Sequence, residues 1–248
     1  MKITILTENN SRIDNYLLAE PAFSVLIEHD NKKILFDTGY SNVFLKNALK
    51  MNINLEDLTD IVISHGHNDH TGGLKYINPD KNITLTAHPN IFDTKVEPNG
   101  IHYGCPVPKE LLEKNFNLNL TKEPYKISKD LIFLGQIENN TSEDIDDSAL
   151  AYIMKDKLFI ITGCSHAGIL NIINYAKKVT GINKIYGIIG GMHLLSVENK
   201  ELEKLSSALK EENIEYLAPC HCCDLNSKIQ LSKDFSIKEI CVGDIITI

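Results

Sequence analysis

The chain has 248 residues and a formal net charge of −8 at pH 7. With 43% hydrophobic and 23% charged residues it has the composition of an ordinary globular protein, and its 14 Gly and 8 Pro are too few for a collagen-like or low-complexity chain. The acidic balance argues against a nucleic-acid partner, because phosphate binding needs a basic surface, and no apolar run reaches the roughly 18 residues of a membrane helix.

Short β-branched runs alternate with amphipathic segments along the chain. They predict strands over residues 22–28, 33–36, 60–64, 83–86, 151–154, 158–162, 184–189 and 215–218, and helices over 41–51, 167–179, 198–212 and 226–233. The turn at Asn31 predicts a hairpin between the first two of these strands. Residues 90–140, with four prolines, are expected to form a flap or insertion. This alternation favours an α/β fold in a single domain spanning residues 1–248.

The N-terminus lacks the long apolar segment of a secretory signal, and the six cysteines do not form the pattern of a disulfide framework. We therefore expect a cytoplasmic protein with no membrane partner. Cys220, Cys222 and Cys223 stand together. In a cytosolic chain, clustered thiols more often indicate metal binding, catalysis or simple burial than disulfides.

The strongest chemical signal is the segment Ser64-His65-Gly66-His67-Asn68-Asp69-His70, which directly follows the apolar run 60–63. Two residues apart in an extended segment, His65 and His67 project to the same side. Asp69 and His70 follow on a tightening turn and can face the same cavity. Imidazole nitrogen and carboxylate oxygen are ligands that zinc, iron and manganese accept. Two pairs of ligands therefore indicate a dinuclear metal centre, and a histidine-rich surface loop is the alternative.

A metal pair needs more ligands than one loop supplies, and three further histidines each follow a predicted strand. His166 follows strand 158–162, His193 follows strand 184–189 and His221 follows strand 215–218. Any one of them could instead be a hydrogen-bonded structural histidine. Together they favour a functional role.

These motifs resemble the metallo-β-lactamase-fold superfamily of metal-dependent hydrolases. The resemblance rests on His65-x-His67-x-Asp69-His70 with Asp37-Thr38-Gly39 before it. Other stretches, Thr162-Gly163-Cys164-Ser165-His166, Gly190-Gly191-Met192-His193 and Pro219-Cys220-His221-Cys222, are similar to one branch. That branch contains the archaeal 7,8-dihydropterin-6-methyl-4-(β-D-ribofuranosyl)aminobenzene-5'-phosphate synthase. The resemblance implies an αββα sandwich, with two mixed β-sheets flanked by helices.

The resemblance also implies a ligand set for two divalent metal ions, with zinc favoured and manganese or iron as alternatives. One metal is expected on His65, His67 and His166, and the other on Asp69, His70 and His221. Many members of the superfamily have a bridging Asp where this chain has Cys164. Two interpretations of Cys164 stay open: a thiolate ligand, which would favour zinc, or a small buried residue.

Other residues are assigned supporting roles. Asp37 is expected to orient the metal loop through hydrogen bonds, and Asp69 and His193 are the expected catalytic groups. Ser24, His88 and His193 are the candidates for substrate binding.

The predicted function is that of a metal-dependent hydrolase or transferase, such as a phosphoesterase, acting on a phosphorylated or diphosphorylated small molecule. In the synthase reaction that the resemblance implies, diphosphate departs while an aromatic carbon attacks a pterin methylene. The alternative is a metal or redox sensor without turnover that uses Cys220, Cys222 and Cys223. The partner is expected to be the small-molecule substrate, and a homodimer is left open.

Overall fold

A computed structural model describes residues 1–138 and 144–248 of the chain. Met1–Lys122 and Cys241–Ile248 form a first unit, and Glu123–Ile240 form a second unit. Each unit is built on one mixed β-sheet. That both belong to a single domain stays a prediction.

The first unit contains a seven-stranded sheet with the order β13-β1-β2-β3-β4-β5-β6. Its strands are β1 (Lys2–Thr7), β2 (Ser24–His29), β3 (Lys32–Phe36), β4 (Asp60–Val62), β5 (Thr84–Ala87), β6 (Asn117–Leu120) and β13 (Ile245–Thr247). Its helices are α1 (Val43–Lys50), α2 (Asn68–Thr71) and α3 (Lys109–Asn115). Pairing is antiparallel from β13 to β3 and parallel from β3 to β6.

The hairpin predicted at Asn31 is confirmed. His29 pairs with Lys32, which leaves a two-residue turn. Asp30 and Asn31 have φ angles of 53° and 60°. Positive φ at both central residues matches the twist of the flanking strands, and Asp and Asn tolerate it better than other non-glycine residues.

The arrangement of the sheet brings several polar residues to one edge. Because β3, β4 and β5 run parallel, the residues that follow their carboxyl ends lie along the same edge. Asp37 follows β3, the histidine-rich segment follows β4 and His88 follows β5. The strands themselves are almost entirely buried, and full burial of an Ile, Leu or Val side chain stabilises the fold by about 1.5–3 kcal/mol.

The second unit contains a six-stranded sheet with the order β12-β11-β10-β9-β8-β7. Its strands are β7 (Tyr125–Lys126), β8 (Leu131–Phe133), β9 (Ala149–Met154), β10 (Lys157–Thr162), β11 (Lys184–Gly190) and β12 (Tyr216–Pro219). Its helices are α4 (Ile169–Thr180), α5 (Asn199–Glu211) and α6 (Leu225–Ser232). Since β10, β11 and β12 are parallel, the loops that carry His166, His193 and His221 leave the same edge of this sheet.

Amphipathic helices cover this second sheet. In α4, Ile169, Ile172, Ile173 and Ala176 are buried and belong to the same hydrophobic core as Ile160 of β10. The helix ends at Gly181, whose φ of 73° is the left-handed conformation that glycine adopts without steric cost.

The α/β class with two mixed sheets and flanking helices is confirmed. Every predicted strand and helix is present, with ends shifted by up to two residues. Residues 90–140 differ from expectation, because they contain α3 and the strands β6, β7 and β8. Residues 139 and 140 of the predicted flap lie outside the described residues. Among the helices that the structure describes, none is both long and apolar enough to span a bilayer.

Candidate metal centre

The histidine-rich segment forms a tight turn at the end of β4. His67 precedes the short helix α2, and the backbone N–H and hydroxyl of Thr71 both donate to the His67 carbonyl oxygen, at 3.0 and 2.8 Å. Ligand atoms of His65 and His67 lie within 4.8 Å of each other, and so do those of Asp69 and His70. The structure thus brings together the two ligand pairs that the sequence predicts within this segment.

Asp37 is the residue that organises these histidines. Its fully buried carboxylate accepts hydrogen bonds from the Ser64 backbone N–H and hydroxyl, each at 2.8 Å, and lies 2.7 Å from His70 Nδ1. Ser64 Oγ is also 2.9 Å from His65 Nδ1. The carboxylate therefore fixes the ring of His70 directly and the ring of His65 through Ser64. Hydrogen bonds of this kind orient metal-ligating histidines in proteins.

The electrostatic environment of His70 is strongly acidic. Burial alone would lower its pKa, but the carboxylates of Asp69 and Asp37 outweigh burial and raise the pKa of His70 well above its usual range. His70 Nε2 lies 3.4 Å from Asp69 Oδ2. The same negative charge that favours a protonated imidazole would also favour a bound metal cation.

The backbone around Asp37 is held in an unusual conformation. Asp37 has a φ of 54°, and the Ser24 hydroxyl donates to its carbonyl oxygen at 2.9 Å. Thr38 donates through its N–H and its hydroxyl to the His70 carbonyl oxygen, at 2.8 and 2.9 Å. A Cβ on Gly73 would lie 2.1 Å from the Thr38 carbonyl oxygen, so this close approach requires glycine. Ser24, a predicted substrate-binding residue, is itself fully buried.

His88, another predicted substrate-binding residue, is also fully buried. Its Nδ1 accepts the Asn90 N–H at 3.1 Å and caps the short 3₁₀-helix Pro89–Phe92. This contact gives His88 a structural role, and its contact with substrate stays a prediction.

Tyr103 lies next to the histidine-rich segment, a contact that the sequence did not predict. Its ring packs edge-on against His67 with 5.0 Å between centroids, and its carbonyl oxygen accepts the Asn68 N–H at 2.8 Å. His67 also forms an isolated antiparallel bridge with Gly104. Part of the predicted flap therefore contacts the histidine-rich segment.

In the second unit, the loops after β10 and β12 bring Cys164 and His221 together. Cys164 Sγ lies 3.2 Å from His221 Nε2, and both side chains are buried. Thiolate sulfur and imidazole nitrogen are the donors that zinc prefers. The pairing supports the interpretation of Cys164 as a ligand, while the choice between ligand and small buried residue stays open.

His166 and His193 form a second cluster in the same unit. Their rings are 4.4 Å apart, and His166 Nδ1 lies 3.2 Å from Asp144 Oδ2. Asp147 accepts the Ala167 N–H at 2.8 Å and so anchors the loop that carries His166. Because Nδ1 faces the carboxylate, Nε2 is the ring nitrogen with which His166, a predicted ligand, would bind a metal ion.

Cys222 interacts with His193. Cys222 Sγ accepts the His193 backbone N–H at 3.2 Å. Hydrogen bonds from the Cys164 and His193 side chains outweigh burial and lower the pKa of Cys222 well below its usual range. The hydrogen bond to Cys222 in turn raises the pKa of His193. Burial raises the pKa of the neighbouring Cys223 to about 12, so the pKa values of these two adjacent thiols are shifted in opposite directions.

The loops of the second unit are strained in a common way. Ser165, His193 and His221 have φ angles of 63°, 52° and 53°. Left-handed backbone at a non-glycine residue costs on the order of 1–3 kcal/mol and persists where neighbouring contacts enforce it. Here the Ser165 hydroxyl donates to the Gly191 carbonyl oxygen at 2.6 Å, and the Leu194 N–H donates to the Cys222 carbonyl oxygen at 2.9 Å.

Comparison with known proteins gives a consistent result. A family model described as the metallo-beta-lactamase superfamily matches residues 18–98. An uncharacterised protein of Methanocaldococcus jannaschii is 33% identical over 246 residues, covering 93% of this chain and 94% of the relative. The 7,8-dihydropterin-6-methyl-4-(beta-D-ribofuranosyl)-aminobenzene-5'-phosphate synthase of the same organism is 31% identical over 272 residues, covering 95% of this chain and 92% of the relative.

A solved structure is also similar over the full length. Tm1679, described as a metal-dependent hydrolase of the beta-lactamase superfamily, is 30% identical and has a TM-score of 0.88. The similarity covers 100% of this chain and 99% of that protein. The match therefore includes both units.

Proposed function

Because the chain belongs to the metallo-beta-lactamase superfamily, we propose that it is a metal-dependent enzyme, a hydrolase or transferase that acts on a phosphorylated or diphosphorylated small molecule. The observation that carries this proposal is the group of four donors between His65 and His70, braced by the buried carboxylate of Asp37. A merely structural turn does not need two oriented imidazoles and a carboxylate side by side.

The proposed centre holds two divalent ions. The first would be held by His65, His67 and His166, and the second by Asp69, His70 and His221. The available donors, imidazole and carboxylate with a thiol at Cys164, are those that zinc accepts.

When bound, such ions lower the pKa of water and neutralise anionic oxygens of the substrate. The residues of the chain would position these parts. Asp37 holds His70 and, through Ser64, His65, so that their rings do not have to reorganise during the reaction. The imidazole of His193 would donate a hydrogen bond to a phosphate oxygen or a proton to the leaving group. Asp69, in the turn of the histidine-rich segment, would be the second catalytic group.

The substrate class is proposed from the relative that is named as a synthase of a ribofuranosyl-aminobenzene 5'-phosphate. A site that neutralises anionic oxygens would stabilise either a hydrolysed phosphoester or a departing diphosphate. We therefore include a synthase-like condensation, in which an aromatic carbon displaces diphosphate from a pterin methylene, as the finer form of the proposal.

The first experiment measures metal and activity together. Protein purified without chelator should contain about two divalent ions per chain by elemental analysis. It should hydrolyse chromogenic phosphomonoesters or phosphodiesters, or release diphosphate from a dihydropterin-methyl diphosphate. H67A should lose metal and activity while keeping its fold, and H102A is the matched control because His102 is exposed.

Two outcomes would contradict the proposal. Unchanged metal content in H67A would refute the ligand assignment. Full metal occupancy without turnover of any of these substrates would contradict an enzymatic role and favour the sensor alternative.

A further inference from the structure

Cys164 and Cys222 lie on two different loops of the second unit, yet their thiols are neighbours. They are 58 residues apart in sequence, and Cys222 Sγ donates to the Cys164 carbonyl oxygen at 3.4 Å. The two side chains also hydrogen-bond to each other. Gly191 permits this approach, because a Cβ there would lie 2.5 Å from Cys222 Sγ and 3.1 Å from the Cys164 Cα.

Each of these thiols also contacts a histidine. Cys164 Sγ lies 3.2 Å from His221 Nε2. Cys222 Sγ is hydrogen-bonded by the His193 side chain as well as by its backbone N–H. Two thiols held next to each other on two loops can be joined as a disulfide once one of them is oxidised.

The neighbouring Cys223 has a different environment. Its sulfur accepts the Met192 N–H at 3.4 Å, and its side chain belongs to the hydrophobic core of the second unit. Cys164, Cys222 and Cys223 are all buried, so their contacts rather than their exposure distinguish them. The geometry therefore selects Cys222 within the cysteine cluster as the partner of Cys164.

We propose that Cys164 and Cys222 form a reversible disulfide when the protein meets a peroxide. The Cys222 sulfur attacks one oxygen of hydrogen peroxide, the O–O bond breaks, and sulfenic acid and water are formed. The Cys164 sulfur then attacks the sulfenic sulfur, and the displaced hydroxide leaves as water with the proton of Cys164. Two thiols lose two electrons, and one peroxide is reduced to two water molecules.

The disulfide would change the metal centre, a consequence that rests on the proposed function. It removes the thiol that faces His221 and ties the loop after β10 to the loop after β12. Metal affinity depends on deprotonated ligands in a fixed arrangement, so the oxidised protein should release metal. The pair would then act as a peroxide-sensitive switch on activity.

Peptide mapping tests the disulfide without any metal. Metal-free protein is treated with hydrogen peroxide, alkylated and digested with trypsin without reductant. Cleavage after Lys157, Lys177, Lys210 and Lys228 places Cys164 in peptide 158–177 and the cysteine cluster in peptide 211–228. We expect these two peptides to be cross-linked, with the six free thiols reduced to four and restored by dithiothreitol.

Substitutions identify the partner. C222S and C164S should each abolish the cross-link, while C223S and C241S should retain it; circular dichroism verifies that each variant is folded. A cross-link that survives in C222S would overturn the proposal. So would oxidation of wild-type protein to a 222–223 disulfide or to sulfinic acid alone.

A second measurement separates this inference from the proposed function. Zinc-loaded protein is treated with peroxide in the presence of a chromogenic chelator, and about one zinc ion per chain should be released from wild type but not from C222S. Cross-linking without zinc release would refute the switch and leave the proposed enzyme intact. Failure of the protein to bind zinc, with normal cross-linking, would instead refute the metal centre.

Discussion

The two units present their predicted metal ligands in different ways. The first unit carries four of them within six residues after β4, and one buried carboxylate, Asp37, orients the group. The second unit distributes its predicted ligands over the loops after β10 and β12, and the predicted catalytic His193 lies in the loop after β11. Each of those loops has its own left-handed residue and its own backbone hydrogen bonds. The first arrangement depends on a single side chain, whereas the second depends on loop backbone.

This contrast predicts that D37A has the largest effect. Removal of the carboxylate leaves Ser64 N–H and His70 Nδ1 buried without their acceptor, and breaking a buried pair in this way costs about 3–5 kcal/mol. Urea unfolding with chelator present measures the loss of stability, and elemental analysis should show loss of metal. D37N, which keeps an acceptor oxygen, should be less destabilised. A loss below about 1 kcal/mol would show that the histidine loop does not depend on Asp37.

G73A should be the next most harmful change, because a Cβ at Gly73 would meet a carbonyl oxygen at 2.1 Å. Overpacking against backbone costs about 1–3 kcal/mol, occasionally more. G181A is the control: a Cβ there meets nothing within 4 Å, so this variant carries only the cost of a side chain on left-handed backbone at φ 73°. Thermal unfolding should place G73A below G181A. Equal unfolding temperatures would mean that the close approach at Gly73 is not needed.

Asp144 is the counterpart of Asp37 in the second unit, and its removal should act on metal rather than on stability. Asp144 is partly exposed and contacts His166 at 3.2 Å. D144N should lower metal affinity about 10–100-fold, the usual effect of losing a carboxylate that orients a histidine ligand. Isothermal titration calorimetry of the metal-free protein measures the change. Unchanged affinity, or destabilisation as large as that of D37A, would remove the distinction between the two units.

The sequence predicted the local elements and the contiguous part of the site well. Strand β6 was missed because Asn117-Leu118-Asn119-Leu120 has low strand propensity, and it forms by parallel pairing with β5. Strand β13 likewise depends on pairing with β1 across almost the whole chain length. Neither pairing leaves a local pattern.

The site residues also divide into those that a local sequence pattern predicts and those that depend on contacts distant in sequence. The histidine loop was recognised because its donors are adjacent in sequence, and the strand-end histidines because each follows an apolar run. Tyr103, Asp144 and Cys222 acquire their roles from residues distant in sequence, such as His67, His166 and Cys164. No local signal marks Tyr103 or Asp144, whereas Cys222 belongs to the cysteine cluster that the sequence does show.

The smallest expected effect concerns Asp224, which caps α6 directly after the loop of His221 and Cys222. Its carboxylate accepts the Ser227 N–H at 2.7 Å and the Ser196 N–H at 2.8 Å. These bonds lower the pKa of Asp224. D224A should lose about 1 kcal/mol of stability at pH 7, which corresponds to about 2–4 °C in Tm for a chain of this size.

The sign of the pH dependence follows from the lowered pKa. A carboxylate with a depressed folded-state pKa contributes full stability above the unfolded value of about 3.9 and loses it as pH falls through the folded value. The difference in Tm between wild type and D224A should therefore shrink as the pH falls from 5 to 3. At pH 5, the difference between wild type and D224N should be smaller than the difference between wild type and D224A. Asn has no charge and only one acceptor oxygen, so D224N should keep the cap on the Ser227 N–H and lose the bond from the Ser196 N–H. A D224N as unstable as D224A would show that the cap alone does not stabilise this loop. A constant difference in Tm between wild type and D224A across that pH range would show that the charge of Asp224 does not contribute.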